Sequence, residues 1–323
     1  MFQTEPILFL QSFASDWLTG MMTAVSRMAY PNVLAGLVIL VSFGLNLRAG
    51  MVLAEAVLWT ELLTGLVKGL VGLPRPSDVD RRVNLLVEGT ANDSPFIAAA
   101  GISFFDLPQT AAVEAVRARL HPSFGFPSSA VSTTAAFWGG TALVSRSSRM
   151  VTLATTIILL TALSRLYLGR HFLADVAAGA VVGLVVVGAL RRGVLRPPWY
   201  FKSPLWPVVL ALLPLAALLA LPHVDPASAG GLGGLYIARM LLRDLPRDSA
   251  SGFRRLGRVA VAGAVWGAIH EIVVLIPSAA LGDRWTAYLS YAVMVFTIFW
   301  GGARLCERVG LYRRARPVAA VSA

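Results

Sequence analysis

Apolar and polar positions alternate at helical spacing over residues 6–29, with Gln11, Ser12, Asp16 and Ser26 interrupting the apolar face. That pattern predicts a helix lying on a membrane surface rather than crossing it. From Pro31 onward the pattern changes to long apolar runs, at about 33–47, 51–72, 128–145, 150–168, 171–190, 205–221, 229–243, 259–277 and 286–304. Each approaches the roughly 20 residues that carry a helix through a bilayer. The Gly-rich run at 229–243 reads as a short or broken span. Between the second and third runs, residues 77–124 form a polar excursion with a short helix expected at about 110–120. Phe96, Ile97, Ile102, Phe104 and Phe105 in it can touch the membrane surface. An all-α, polytopic transmembrane helical bundle follows, because only helices and closed barrels satisfy the backbone inside lipid. The expected division is an N-terminal surface helix at 1–30, a transmembrane core at 31–200 and additional transmembrane helices at 201–323.

Composition agrees: 56% of residues are hydrophobic and 14% charged, where a soluble domain carries about a quarter charged. The net charge of +11 does not imply nucleic acid. It gathers in short loops at 48, 146–149, 191–202, 243–258 and 308–316, as expected for cytoplasmic turns that meet anionic lipid. Those loops share one side if 229–243 crosses, which gives nine crossings. Glu5 and Asp16 precede any basic start, so no cleavable signal is expected. The single Cys306 excludes an internal disulfide. Oligomeric state is left open.

Three clusters then converge on the opposite, extracytoplasmic side. Lys68 lies near the end of the second run and Arg75-Pro76 follows in the mouth. Pro127-Ser128-Ser129-Ala130 opens the third run, where a helix amino end offers free N–H groups to an anion. Ser164-Arg165 and His171-Phe172-Leu173-Ala174-Asp175 join the fourth and fifth runs. His171 and Asp175 are four apart, on one helix face, so the carboxylate can hold the imidazole in one tautomer while its other nitrogen reacts. Three cations, a helix amino end, a hydroxyl pair and a His–Asp pair fit a tetrahedral polyanion, most simply phosphate. The chemistry is phosphoryl transfer with His171 as nucleophile. No metal-ligand set and no cofactor motif are present.

The spacing Lys68, six residues, Arg75-Pro76 resembles the first signature of the type-2 phosphatidic acid phosphatase superfamily. Ser164-Arg165, five residues, His171, three residues, Asp175 resembles its third. The resemblance covers roughly residues 50–190. It implies an integral membrane lipid phosphatase without a metal, acting through a phosphohistidine on His171 that Asp175 orients. Lys68, Arg75 and Arg165 would hold the phosphate oxygens, and Ser128 with the backbone N–H of Ser129 another. The second signature departs. The family reads Pro-Ser-Gly-His where this chain has Pro127-Ser128-Ser129-Ala130, so the histidine that protonates the leaving oxygen is replaced by Ala130. General acid catalysis contributes about 10²–10⁴-fold, so impaired turnover of monoesters is expected, and less impairment on diphosphates, whose leaving group is better. Three readings of Ala130 follow: a variant engineered to trap substrate, favoured because the rest of the site is intact; a natural member whose leaving group needs no proton; or a binding protein on an enzyme scaffold.

The expected substrate is a lipid phosphate or diphosphate, such as phosphatidic acid or a polyprenyl diphosphate, reached from the outer leaflet of the plasma membrane. The alternatives are a lipid phosphotransferase and a non-enzymatic protein that binds or translocates lipid phosphates. Arg170 reads equally as a headgroup contact and an interfacial anchor. His121 is expected to be a solvated loop residue rather than a substitute acid. Glu55 and Glu61 are expected in the bundle interior, pairing Lys68 or another polar group. His270-Glu271, in a late run, line a second cavity or hydrogen-bond between helices.

Overall fold

Helix ends in this chain fall where capping chemistry and glycine place them. Ser15 accepts the Leu18 N–H at 3.3 Å and so opens a second N-terminal helix. The single surface helix expected over 6–29 is therefore two, α1 (Glu5–Gln11) and α2 (Asp16–Arg27). The computed structural model describes residues 2–86, 106–119, 123–195, 205–242, 252–275 and 282–312. Every regular element among the described residues is helical. After α2 come α3 (Pro31–Gly44), α4 (Leu47–Val71), the single turn α5 (Pro76–Val79), α6 (Thr110–Arg117), α7 (Ser129–Ser145), α8 (Ser148–Tyr167) and α9 (Leu173–Leu195). They are followed by α10 (Leu205–Ala220), α11 (Pro226–Leu241), α12 (Gly252–Val274), α13 (Asp283–Phe296), a π-helical turn (Thr297–Gly301) and α14 (Gly302–Arg308). His121, the apolar group between Phe96 and Phe105, and the basic residues Arg196, Lys202, Arg243, Arg247, Arg313, Arg314 and Arg316 lie outside the described residues.

Each of the nine apolar runs falls mainly on a helix over its described residues, but the helices differ in reach. Among the described residues five segments are long and apolar enough to cross a membrane: Leu47–Val79, Ser148–Tyr167, Leu173–Arg191, Gly252–Val274 and Asp283–Arg308. Counting α2 and α3 together as one bent span makes six. The chain is a multi-pass membrane protein. The remaining four of the nine expected crossings fall on shorter helices: α3, α7, α10 and α11 have 14, 17, 16 and 16 residues. At 1.5 Å per residue these reach about 21–26 Å, less than the ~30 Å hydrocarbon core.

The chain divides into two units: Met1–Leu34, Ala56–Arg196 and Leu221–Asp225 form one, and Ala35–Glu55, Pro197–Ala220 and Pro226–Ala323 the other. In the first, α7 and α9 pack closely because α9 turns glycines toward its neighbour. A Cβ on Gly179 would lie 2.6 Å from the Ser128 carbonyl oxygen, and one on Gly183 would collide with the Ser132 carbonyl. The Thr64 and Ser132 hydroxyls, 3.0 Å apart, join α4 to α7. Ile7, Leu73, Val83, Val131, Leu166 and Phe172 form the apolar core under the loops that leave α4 and α8.

In the second unit the Gly-rich run is one continuous, largely buried helix, α11, not a broken one. Its glycines serve close approach: a Cβ on Gly230 or Gly234 would run into the backbone of Tyr288 or Ala292 in α13. Glu55, 2% exposed, accepts the Tyr236 hydroxyl at 2.6 Å and pairs with Arg239. The interior placement expected for Glu55 holds, with α11 rather than Lys68 as its partner. Glu61 belongs to the first unit, near Asp225. His270 and Glu271 are both exposed on α12 and do not line the cavity described below.

Candidate active site

Lys68 sits in the last turn of α4. That helix stops at Gly72, whose φ of 61° is open to glycine without strain. Its N–H returns to the Lys68 carbonyl at 2.9 Å. Three residues later the chain has turned enough for Arg75 to face the same space as Lys68. Arg75 Nε donates to Ser123 Oγ at 3.1 Å and its Nη1 to the Arg170 carbonyl at 3.1 Å. The Asp78 carboxylate accepts the Arg75 N–H at 2.9 Å and caps α5. Lys68 Nζ donates to the carbonyls of Phe124 and Gly125 at 3.0 and 3.2 Å. The loop entering α7 is thus tied to both cations.

Arg165 ends α8 and is 9% exposed. Its Nη1 donates to Ser26 Oγ of α2 at 2.6 Å, while its buried Nε has no hydrogen-bond partner among the described residues. The N-terminal helices brace this end of α8 elsewhere as well. Gln11 donates to the Tyr167 carbonyl at 3.0 Å, and the Tyr167 and Thr19 hydroxyls are 2.7 Å apart. Neither contact could be read from the spacing of the motif.

His171 and Asp175 stand at the start of α9, 2% and 0% exposed. Asp175 Oδ2 accepts the Phe172 N–H at 2.9 Å, which caps the helix, and lies 3.3 Å from His171 Nδ1. Nδ1 is therefore the nitrogen tethered to Asp175, and Nε2 the one that Asp175 leaves free. Burial, with the Arg75, Arg165 and Lys68 charges, pushes the imidazole well below the usual histidine range. The ring is neutral at neutral pH, with a lone pair on Nε2.

Lys68, Arg75, Arg165 and His171 line one cavity of about 390 Å³. Ser129 and Ala130 line it too, from the first turn of α7, and Asp175 lies behind His171. Ser128 does not line it: the residue is fully buried as the residue before α7 and donates its N–H to the Asp175 carbonyl at 2.9 Å. Arg170 offers its carbonyl to Arg75. Ser123, Phe124 and His223 also line the cavity, and sequence reasoning did not find them. The one available signal for His223 was the pair Gly65 and Gly69, which leaves a bare strip along α4 for a returning loop. Among the described residues no three His, Cys, Asp or Glu side chains gather as a metal-binding group.

Gly125 shows how tightly the pair is set. A Cβ there would stand 2.7 Å from the Pro74 carbonyl oxygen and 3.1 Å from Asp175 Oδ2. Gly125→Ala is expected to displace the carboxylate and lower kcat/KM for p-nitrophenyl phosphate by about 10²-fold, the scale of a 1 Å misplacement. Steady-state kinetics on purified protein of unchanged helical content checks this.

A neutral buried imidazole beside a carboxylate, inside a cavity lined by three cations and a helix amino end, is chemically suited to hold an anion against a nucleophilic nitrogen. Comparison with known proteins bears on the same segment. No curated protein and no solved structure matched the chain, whereas a family model described as PAP2 superfamily matched residues 49–199. That span, just under half of the chain, holds the positions of all three signatures, and over it the chain is similar to the PAP2 superfamily.

Proposed function

We propose that the chain is a membrane phosphatase that hydrolyses a lipid phosphate or diphosphate through a phosphohistidine on His171. The observation that carries the reading is the convergence of Lys68, Arg75 and Arg165 on the cavity that also admits His171. Lys68, Arg75 and Arg165 bind the non-bridging oxygens and offset charge that builds on them in the transition state. The unpaired N–H groups of the first turn of α7, from Ser129 onward with Ser128 as the cap, bind a further oxygen. Nε2 of His171 attacks phosphorus in line with the leaving oxygen. Asp175 holds the Nδ1 hydrogen and stabilises the positive charge the ring acquires.

The cavity end and the basic end of the core helices are opposite. Lys68 ends α4 and Arg48 begins it; Ser129 begins α7 and Arg146 follows it; Arg149 begins α8 and Arg165 ends it; Asp175 begins α9 and Arg191 lies near its end. Basic turns favour the cytoplasm, so the cavity is assigned to the extracytoplasmic face of the plasma membrane. The tails of the substrate remain in the outer leaflet.

The test uses full-length protein in phosphatidylcholine vesicles with ³²P-labelled phosphatidic acid and a labelled polyprenyl diphosphate. Expected are release of inorganic phosphate to water and a protein-bound label that is stable to alkali and lost in acid. Label appearing in a second lipid instead points to a phosphotransferase. Tight binding with neither release nor protein-bound label would overturn the enzymatic reading.

A further inference from the structure

Ala130 lines the cavity where the related signature carries an acid, and a methyl group gives no proton. A phosphomonoester of an aliphatic alcohol expels a strongly basic alkoxide, so some group must protonate that oxygen if such esters are to react. Guanidinium groups do not release a proton under these conditions, which removes Arg75 and Arg165. Lys68 donates two N–H groups to backbone carbonyls and is assigned with its third to a non-bridging oxygen, and His171 is the nucleophile. Among the cavity-lining side chains that leaves one imidazole, His223.

His223 comes from the loop Leu221–Asp225, which belongs to the same unit as the cavity but lies beyond the segment matched by the family, residues 49–199. The loop reaches α4 because Gly65 and Gly69 leave that face bare. A Cβ on Gly65 would touch Asp225 Cβ at 3.6 Å. One on Gly69 would lie 2.6 Å from His223 Cγ and 2.8 Å from its Nδ1. The imidazole thus rests its Nδ1 edge on Gly69, the neighbour of Lys68, and leaves Nε2 away from that contact. Val224, 2% exposed, pins the loop, while His223 itself is exposed.

We propose that His223 is the general acid of this site, supplied by the loop between α10 and α11 in place of a histidine at position 130. The assignment rests on the phosphatase reading above. In the first step His171 Nε2 forms a bond to phosphorus, the bond from phosphorus to the ester oxygen breaks, and the His223 imidazolium gives its proton to that oxygen, releasing the alcohol. In the second step water attacks the phosphohistidine, neutral His223 takes a proton from it, the bond from phosphorus to nitrogen breaks, and phosphate leaves. Both rings return to their starting states. Under this assignment Ala130 does not by itself confine the chain to substrates with good leaving groups.

Two probes separate proton delivery from everything else: dodecyl phosphate, whose alkoxide needs a proton, and p-nitrophenyl phosphate, whose phenolate does not. kcat/KM reports steps up to phosphorylation of His171. For His223→Gln in the full chain, the ratio of kcat/KM for the alkyl over the aryl ester is expected to fall by about 10²–10³-fold, within the range of general acid catalysis. Adding Ala130→His to His223→Gln is expected to bring the ratio back by at least tenfold. An unchanged ratio in His223→Gln overturns the assignment, whether both substrates are lost equally or neither is affected. Turnover of p-nitrophenyl phosphate alone by the unsubstituted chain also overturns it and leaves the phosphatase reading standing. Turnover of neither ester likewise overturns the assignment, whereas turnover that survives His171→Gln defeats the underlying reading of His171 as the nucleophile.

Discussion

Replacing His171 with Gln is expected to remove turnover of every phosphorylated substrate and to leave no protein-bound phosphate. Loss of a catalytic nucleophile typically lowers kcat by about 10⁶-fold, equivalent to about 8 kcal/mol of barrier. The structure gives reason to expect the full effect. Nε2 is the nitrogen that Asp175 leaves free, and the ring is kept neutral by burial and by Arg75, Arg165 and Lys68. Glutamine keeps a polar group of similar reach and changes no charge, so the three cations should still bind the anion. Binding of inorganic phosphate, measured by calorimetry on the same preparation, is expected to stay within a few-fold. Rapid-quench labelling with a ³²P substrate provides the decisive measurement. A labelled protein in His171→Gln would place the nucleophile elsewhere.

How much of this site the sequence reveals follows from the range over which each feature acts. The three signatures describe short stretches whose geometry is local. A left-handed Gly72 separates Lys68 from Arg75, and one helical turn separates His171 from Asp175. Spacing within such stretches nearly determines which side chains share a face, so the residues of the first and third signatures are found around one cavity. Partners between distant stretches are a different matter. Periodicity could say that Glu55 avoids lipid, but not that Arg239, 184 residues away, receives it. It could not say that Ser26 anchors Arg165, that Ser128 is sealed under Asp175, or that a loop at 221–225 returns to α4. That four of the nine expected crossings fall on short helices has a related cause. Hydropathy registers apolar character in α7, α10 and α11, whereas crossing also needs length, and helices of 17, 16 and 16 residues supply less of it. In α11 the glycines answer to contact with α13, which hydropathy reads as a weak or broken span.

Asp175 offers the second large effect, and its contacts predict that two substitutions differ. Oδ2 alone receives both the Phe172 N–H and the His171 ring, at 2.9 and 3.3 Å, and Oδ1 is buried with no hydrogen-bond partner among the described residues. In Asp175→Ala both contacts vanish. The imidazole can then carry its hydrogen on Nε2, which removes the lone pair from the cavity, and α9 loses a cap worth about 1 kcal/mol. A loss of roughly 10⁴-fold in kcat is expected, the scale seen when the orienting carboxylate of a catalytic group is removed. In Asp175→Asn the amide oxygen can take the place of Oδ2 and serve both donors, so the tautomer and the cap persist. What disappears is the negative charge that stabilises the phosphorylated, cationic ring, and an amide NH₂ is left buried where Oδ1 was. That change is expected to lower kcat by about 10²–10³-fold, as for loss of one electrostatic partner in the transition state. Comparing kcat of the two variants on p-nitrophenyl phosphate, with thermal unfolding as a control for the cap, separates orientation from charge. Equal losses in the two variants would mean that the carboxylate acts through its charge alone and that holding the ring in one tautomer contributes little.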